Sequence, residues 1–139
     1  MVEKTEKEFK KWCNKNKFFC KKLLTHTSTG QGNNQEADFI VANDNNVFLV
    51  ECKERHTNTF NFKDLTQEKK LSLVTKKTNA IKPIILIRFP HKKLIVKMNL
   101  NEYKKIKNNA YFKNGKPKQS INLNEIPECY KYIWKTLNL

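Results

Sequence analysis

Apolar residues along this chain come in short, turn-bounded groups whose spacing alternates between helical and strand-like periods. From Thr5 to about Lys15, Phe9, Trp12 and Cys13 recur at helical spacing while Lys fills the opposite face. Phe18 to Leu24 reads as a first strand, interrupted by Lys21 and Lys22, and Thr25 to Gln35 is a polar, glycine-bearing loop. Glu36 to Ala42 and Val47 to Lys53 are strand-like runs joined by Asn43-Asp44-Asn45-Asn46, a link that suits a hairpin. Asp64 to about Thr78 reads as a helix carrying Leu65, Leu71 and Val74, and strands follow at Ile84–Phe89 and Leu94–Leu100. Asn101 to Asn108 reads as a short helix. Leu123 to Leu137 reads as a longer one, with Ile126, Tyr130, Ile133, Trp134 and Leu137 on its apolar side and a basic turn, Lys113 to Gln119, before it. The predicted order is α-β-β-β-α-β-β-α, an α/β (α+β) fold with a central mixed five-stranded sheet flanked by helices.

A length of 139 residues fits one domain, residues 1–139, with a core over about 5–100 and a helical extension over about 101–139. The longest apolar stretch, Ile84 to Ile87, is far too short to cross a bilayer, and the charged opening MVEKTEKEFKKW is unlike a secretory signal. A soluble, cytoplasmic protein is therefore expected. The cysteines, Cys13, Cys20, Cys52 and Cys129, form no C-x-x-C pair and lie in or beside apolar patterns. They read as reduced core or near-core thiols rather than zinc ligands.

Charge changes the picture more. Twenty-eight Lys and Arg stand against thirteen Asp and Glu, a formal net charge of +15, which would attract a polyanion such as nucleic acid. All of these cations except Arg55 and Arg88 are Lys, and Asn is abundant, so AT-rich coding explains part of the excess. Charge alone identifies no reaction.

The chemistry is concentrated in EADFIVANDNNVFLVECKER. Strand alternation puts Phe48, Val50 and Cys52 on one face and Val47, Leu49, Glu51 and Lys53 on the other. An acid and a lysine thus project together from an apolar strand, at a desolvation cost of several kcal/mol per ion before compensation. A frayed-end ion pair would be the ordinary explanation. Asp38 alters that reading, because the hairpin brings it near Glu51, and two close carboxylates repel unless a cation sits between them. Mg²⁺, with Mn²⁺ as a substitute, suits a few carboxylates plus water and phosphate. Phosphodiester hydrolysis needs these parts: a metal to polarise the phosphate and activate water, and a fixed cation such as Lys53 to hold it. The histidines His26, His56 and His91 are scattered among polar residues, Ser28 has no acid–base partner nearby in sequence, and Gly30-Gln31-Gly32 lacks the remainder of a nucleotide-binding loop.

Asp38, Glu51 and Lys53, on a hairpin after an N-terminal helix, resemble the PD-(D/E)XK nuclease superfamily, and within it the Holliday junction resolvases of the archaeal Hjc and bacterial RecU kind. The likeness spans roughly residues 5–100, with Ala37 standing where the name-giving proline would be. It implies a restriction-endonuclease-like core and a metal held by Asp38, Glu51, the Cys52 backbone carbonyl and Glu6, the match to an acid in the first helix. Glu8 competes with Glu6 but shares a face with Trp12 only, whereas Glu6 aligns with Phe9 and Cys13. Gln67 resembles a catalytic Gln in a RecU helix, or would form a capping box with Asp64. Thr27, Ser28 and Gly30 fall in the segment that lies near substrate in those families, and Lys7, Lys21, Lys22, Arg55, Lys63 and Lys69 are further candidate DNA contacts.

A small chain with one catalytic centre, arranged as a C2 homodimer, would supply the two centres a four-way junction requires. Phe60, Phe62, Tyr111, Phe112 and the Tyr130–Trp134 face are candidates for dimer contacts or for core. A small restriction- or repair-type endonuclease on linear duplex is the alternative enzyme. A non-catalytic basic nucleic-acid-binding protein is the alternative outside catalysis.

Overall fold

The computed structural model describes residues 3–23 and 37–139. Helix α1 (Glu3–Lys15) leads into strands β1 (Phe19–Lys22), β2 (Phe39–Ala42) and β3 (Val47–Glu54). Then come β4 (Thr59–Asn61), α2 (Glu68–Lys77), β5 (Ile81–Phe89), β6 (Leu94–Asn99), α3 (Leu100–Asn108), β7 (Ser120–Asn122) and β8 (Lys131–Tyr132). The main sheet has six strands in the order β1-β2-β3-β5-β6-β8, and β4 and β7 make a second, two-stranded sheet. Only β3 and β5 run parallel; the other pairs are antiparallel, so the sheet is mixed as expected and one strand wider.

Strand alternation divides the core. Phe48, Val50 and Cys52 of β3 join Phe39, Val41, Ile84, Leu86 and Ile95 beneath Phe9, Trp12 and Cys13 of α1. Leu49 faces the other way with Ile85, Ile87, Val96 and Met98, covered by Leu71, Leu100, Tyr103 and the small-sheet residues Phe60 and Ile121. Because β5 is apolar on both faces, it reads as an unbroken run and sits centrally. It starts at Ile81, ahead of the expected Ile84, and includes Pro83. Proline is tolerated there because β6 pairing begins only at Ile84, so Pro83 has a strand neighbour on one side.

The expected helix over Leu123–Leu137 is not formed. The segment makes 3-10 turns at Leu123–Glu125 and Glu128–Tyr130, and then β8, which pairs with β6. Pro127 interrupts the helical pattern. The apolar residues also serve opposite faces of the sheet: Leu123, Ile126 and Tyr130 pack on one, and Tyr132, Trp134 and Leu137 on the other. A single helix cannot do this; an extended segment wrapping the sheet edge can. Likewise α2 begins at Glu68, not at Asp64, after a 3-10 turn at Phe62–Asp64. Phe60 and Phe62 are core, which removes them from any dimer surface, and Cys129 is exposed rather than near the core. Among the described residues, no helix is long and apolar enough to cross a membrane.

Candidate active site

The β2–β3 turn is set by Asn43, whose side-chain oxygen accepts the amides of Asn45 and Asn46 at 3.0 and 2.8 Å. Phe39 then pairs with Val50, so Asp38, one step further along, comes opposite Glu51. The Asp38 amide donates to the Val50 carbonyl at 3.1 Å, and Asp38 Oδ2 accepts the Cys52 amide at 2.8 Å. A third strand-end link, from the Leu23 amide to the Asp38 carbonyl (2.8 Å), fixes the residue from β1. Asp38 is therefore held by backbone on two sides while its carboxylate faces the Glu51 side chain.

Glu51 is only 2% exposed. Its Oε2 lies 3.2 Å from Lys53 Nζ, while its Oε1 is buried without any hydrogen-bond partner. Burial, then the charge of Asp38, pushes the Glu51 carboxyl up to about 7, against the pull of Lys53. Burial raises Asp38 too, opposed by the Cys52 amide and reinforced by Glu6. Two neighbouring carboxyls that resist ionisation and a buried oxygen lacking a donor would both be satisfied by a cation placed between them. The donor set thus fits a hard divalent ion: two carboxylates with a peptide carbonyl between Glu51 and Lys53. Cys52 can offer only that main-chain group, because its side chain lies in the α1-side core and burial raises its thiol pKa further. Among the described residues, no three His, Cys, Asp or Glu side chains converge closely enough to enclose an ion by themselves.

Glu6 is buried at 8% exposure on the inward face of α1 and acts electrostatically on both carboxyls. Its oxygen is 3.4 Å from Lys22 Nζ. Glu8 points elsewhere, to Arg88 at 3.0 Å. Gln67 is buried and accepts the Thr66 hydroxyl at 3.1 Å. It is the N-cap residue of α2 and makes no side-chain cap, so the capping box with Asp64 does not exist. Asp64 instead lies 3.7 Å from Arg55. Arg55 also donates to the Thr59 carbonyl at 3.0 Å, which commits it to holding β4. Lys7, Lys21 and Lys22 are exposed, and an open cleft lined by Glu3, Glu6, Lys7, Lys10, Lys22 and Phe39 runs beside Glu6. Lys63 and Lys69 are exposed near the start of α2. Thr27, Ser28 and Gly30 lie outside the described residues.

A second polar group went unseen in the sequence. Glu54 and Arg88 are register partners on β3 and β5, with an ion pair of 3.3 Å. Thr5 donates to Glu54, His56 Nε2 lies 2.8 Å from the same carboxylate, and Glu8 joins the group through Arg88. This clamp ties the first turns of α1, which carry Glu6, to the strand that carries Glu51. The only local signal was Thr5, placed one helical turn before Phe9 and fully buried.

No curated protein matches this sequence. The structure resembles that of Hjc from Archaeoglobus fulgidus, a Holliday junction resolvase from an archaeal hyperthermophile, with a TM-score of 0.57 over 86% of each chain. At 12% sequence identity that likeness shows the fold alone. The family model for archaeal Holliday junction resolvases matches residues 4–132, nearly the whole chain. The chain belongs to the archaeal Holliday junction resolvase (Hjc) family of junction-resolving nucleases.

Proposed function

We propose that this protein is a Mg²⁺-dependent endonuclease that resolves four-way DNA junctions by paired nicks, using Asp38, Glu51 and Lys53. The observation that carries the reading is the buried, partnerless Glu51 Oε1 beside a second carboxylate and a lysine. Asp38, Glu51 and the Cys52 carbonyl would hold the ion. When bound, it would supply the positive charge that polarises the scissile phosphate and favours ionised water.

The remaining work falls to the chain itself. The Lys53 ammonium, held at 3.2 Å from Glu51, is the donor available to a non-bridging phosphate oxygen and to the attacking water. Glu6 adds negative field that strengthens cation binding and keeps Lys22 at the cleft margin. Lys7, Lys21 and Lys22 would take phosphates flanking the cut, with Lys63 and Lys69 further along; such contacts position DNA without reading sequence. Gln67, buried at the start of α2 with its side-chain oxygen accepting the Thr66 hydroxyl, is a further candidate for the catalytic set. A C2 homodimer would present two such centres to the opposed strands of a junction.

The test is incubation with a synthetic junction in Mg²⁺, in Mn²⁺ and in EDTA, using wild type and Asp38→Ala. Nicking that needs the metal and disappears in the variant supports the reading. Tight binding by wild type without cleavage in either metal would leave a DNA-binding protein and no enzyme.

A further inference from the structure

Residues 109–119, between α3 and β7, form a small wing with an unusual surface. Its backbone is a closed hairpin: the Phe112 amide donates to the Lys116 carbonyl at 2.8 Å, and the Lys118 amide to the Ala110 carbonyl at 2.8 Å. Tyr111 and Pro117 face each other as a bridge. The tip is fixed by Gly115, at φ +84°, whose amide donates to the Phe112 carbonyl at 2.9 Å, and by Asn114, whose side chain accepts the Lys116 amide at 3.1 Å. Yet Tyr111 and Phe112 are 54% and 55% exposed, so this ordered hairpin displays two aromatic rings to solvent. Around them stand Lys113, Lys116 and Lys118, with no acidic residue in the wing itself and, among the described residues, only Lys118 paired outside it, to Glu125 at 2.7 Å. Lys118 Nζ lies 5.6 Å above the Phe112 ring.

Its attachment places it beside the catalytic strand. The Gln119 carbonyl accepts the Phe62 amide at 3.0 Å, and Ser120 pairs with Asn61 at the far end of β4. The near end of β4 is bonded to Arg55, two residues beyond Lys53. At about 3.3 Å per residue, β4 separates the wing from that bond by roughly 10 Å, the rise of about three base pairs.

We infer that the wing is a DNA-binding element, in which Lys113 and Lys116 take phosphates while Tyr111 and Phe112 stack on bases exposed at the branch point. This rests on the junction reading and deepens it. Aromatic rings interleaved with lysines match the two faces of an open nucleotide, its π-surface and its phosphate. The interior of an intact duplex arm offers no free base face, whereas a crossover unstacked at its branch point does, so the aromatic pair favours branched DNA. A second copy of the chain suits the surface less well, because an isologous contact would bring two wholly basic wings together.

The test uses a fluorescent four-way junction and one of its duplex arms, bound in EDTA so that nothing is cut. The proteins are wild type, Tyr111→Ala/Phe112→Ala, Tyr111→Leu/Phe112→Leu, and Lys113→Ala/Lys116→Ala, with sedimentation of each. Both aromatic variants should lose about tenfold or more in junction affinity while duplex affinity stays within about threefold. The lysine variant should weaken both and flatten the salt dependence. A leucine pair that binds the junction as wild type does would overturn the inference, since bulk rather than a π-face would suffice. Dissociation of an oligomer by the alanine pair would also overturn it and name a second copy as occupant. If wild type itself fails to prefer the junction, the functional reading falls, and the wing's role falls with it.

Discussion

Asp38 Oδ2 accepts the Cys52 amide at 2.8 Å, so the carboxylate that faces Glu51 is also a backbone staple between β2 and β3. The residue thus has a folding role and a charge role that can be separated. Asp38→Asn keeps an acceptor oxygen and loses the charge; Asp38→Ala loses both. The Asn variant should melt at or above the wild-type temperature, because removing the charge relieves its repulsion with Glu51. The Ala variant should be destabilised by about 1–3 kcal/mol, having left a buried amide unpaired. Junction cleavage should fall by about a hundredfold or more in both, as expected for lost transition-state electrostatics. Denaturant unfolding beside cleavage rates checks the pair.

Glu51 gives a pH signature. Its carboxyl is raised from 4.5 to about 7 in the folded protein, so the fold retains a proton that the unfolded chain has released. Its stabilising contribution is therefore fully present below pH 4.5 and lost as pH rises through 7. At about 1.4 kcal/mol per unit the effect reaches a few kcal/mol. A divalent cation reverses the preference by favouring the ionised form. Thermal melts should show metal-free protein losing stability between pH 5 and pH 8, with Mn²⁺ raising Tm more at pH 8 than at pH 5.5. An equal increment at both would place the ion away from Glu51.

The Glu54–Arg88 clamp should matter more to stability than an exposed ion pair. Glu54 is almost fully covered and Arg88 nearly so. Arg88→Ala removes one of several partners of Glu54, with Thr5 and His56 still beside the carboxylate, and should cost about 1.5–3 kcal/mol, the range for a hydrogen bond to a charged group. Glu8→Gln, at a half-buried position, should cost less than about 1 kcal/mol. Equilibrium unfolding of both variants provides the comparison.

Helix α1 ends with Lys17 at φ +61°. The Phe18 amide reaches the Cys13 carbonyl at 2.9 Å and the Lys17 amide the Asn14 carbonyl at 3.3 Å, a Schellman cap with lysine where glycine is favoured. Lys17→Gly should therefore stabilise the protein by roughly 1 kcal/mol, read as a raised denaturation midpoint.

How much of this was legible depended on range. Asp38, Glu51 and Lys53 could be brought together on paper because a strand period of two and a short turn at Asn43–Asn46 fix the hairpin locally. The opposite orientations of Leu49 and Val50 followed from the same period, and the spacing of Phe9, Trp12 and Cys13 gave α1. Glu54 and Arg88 could not be paired, since their meeting depends on the β3–β5 register across thirty-four residues. Residues 123–137 misled because Ile126, Tyr130, Trp134 and Leu137 mimic a helical stripe while serving two faces of the sheet. Pro127 was the local warning. The wing was visible only as a basic turn, and nothing in the sequence told whether Tyr111 and Phe112 would be buried.

The most direct measurement maps nicks on a synthetic four-way junction whose strands are labelled in turn, beside the linear duplex arms, in Mg²⁺. The account predicts symmetric nicks near the crossover in two opposed strands and little cutting of the arms. Equal cutting of the linear arms, or nicks unrelated to the crossover, would contradict it.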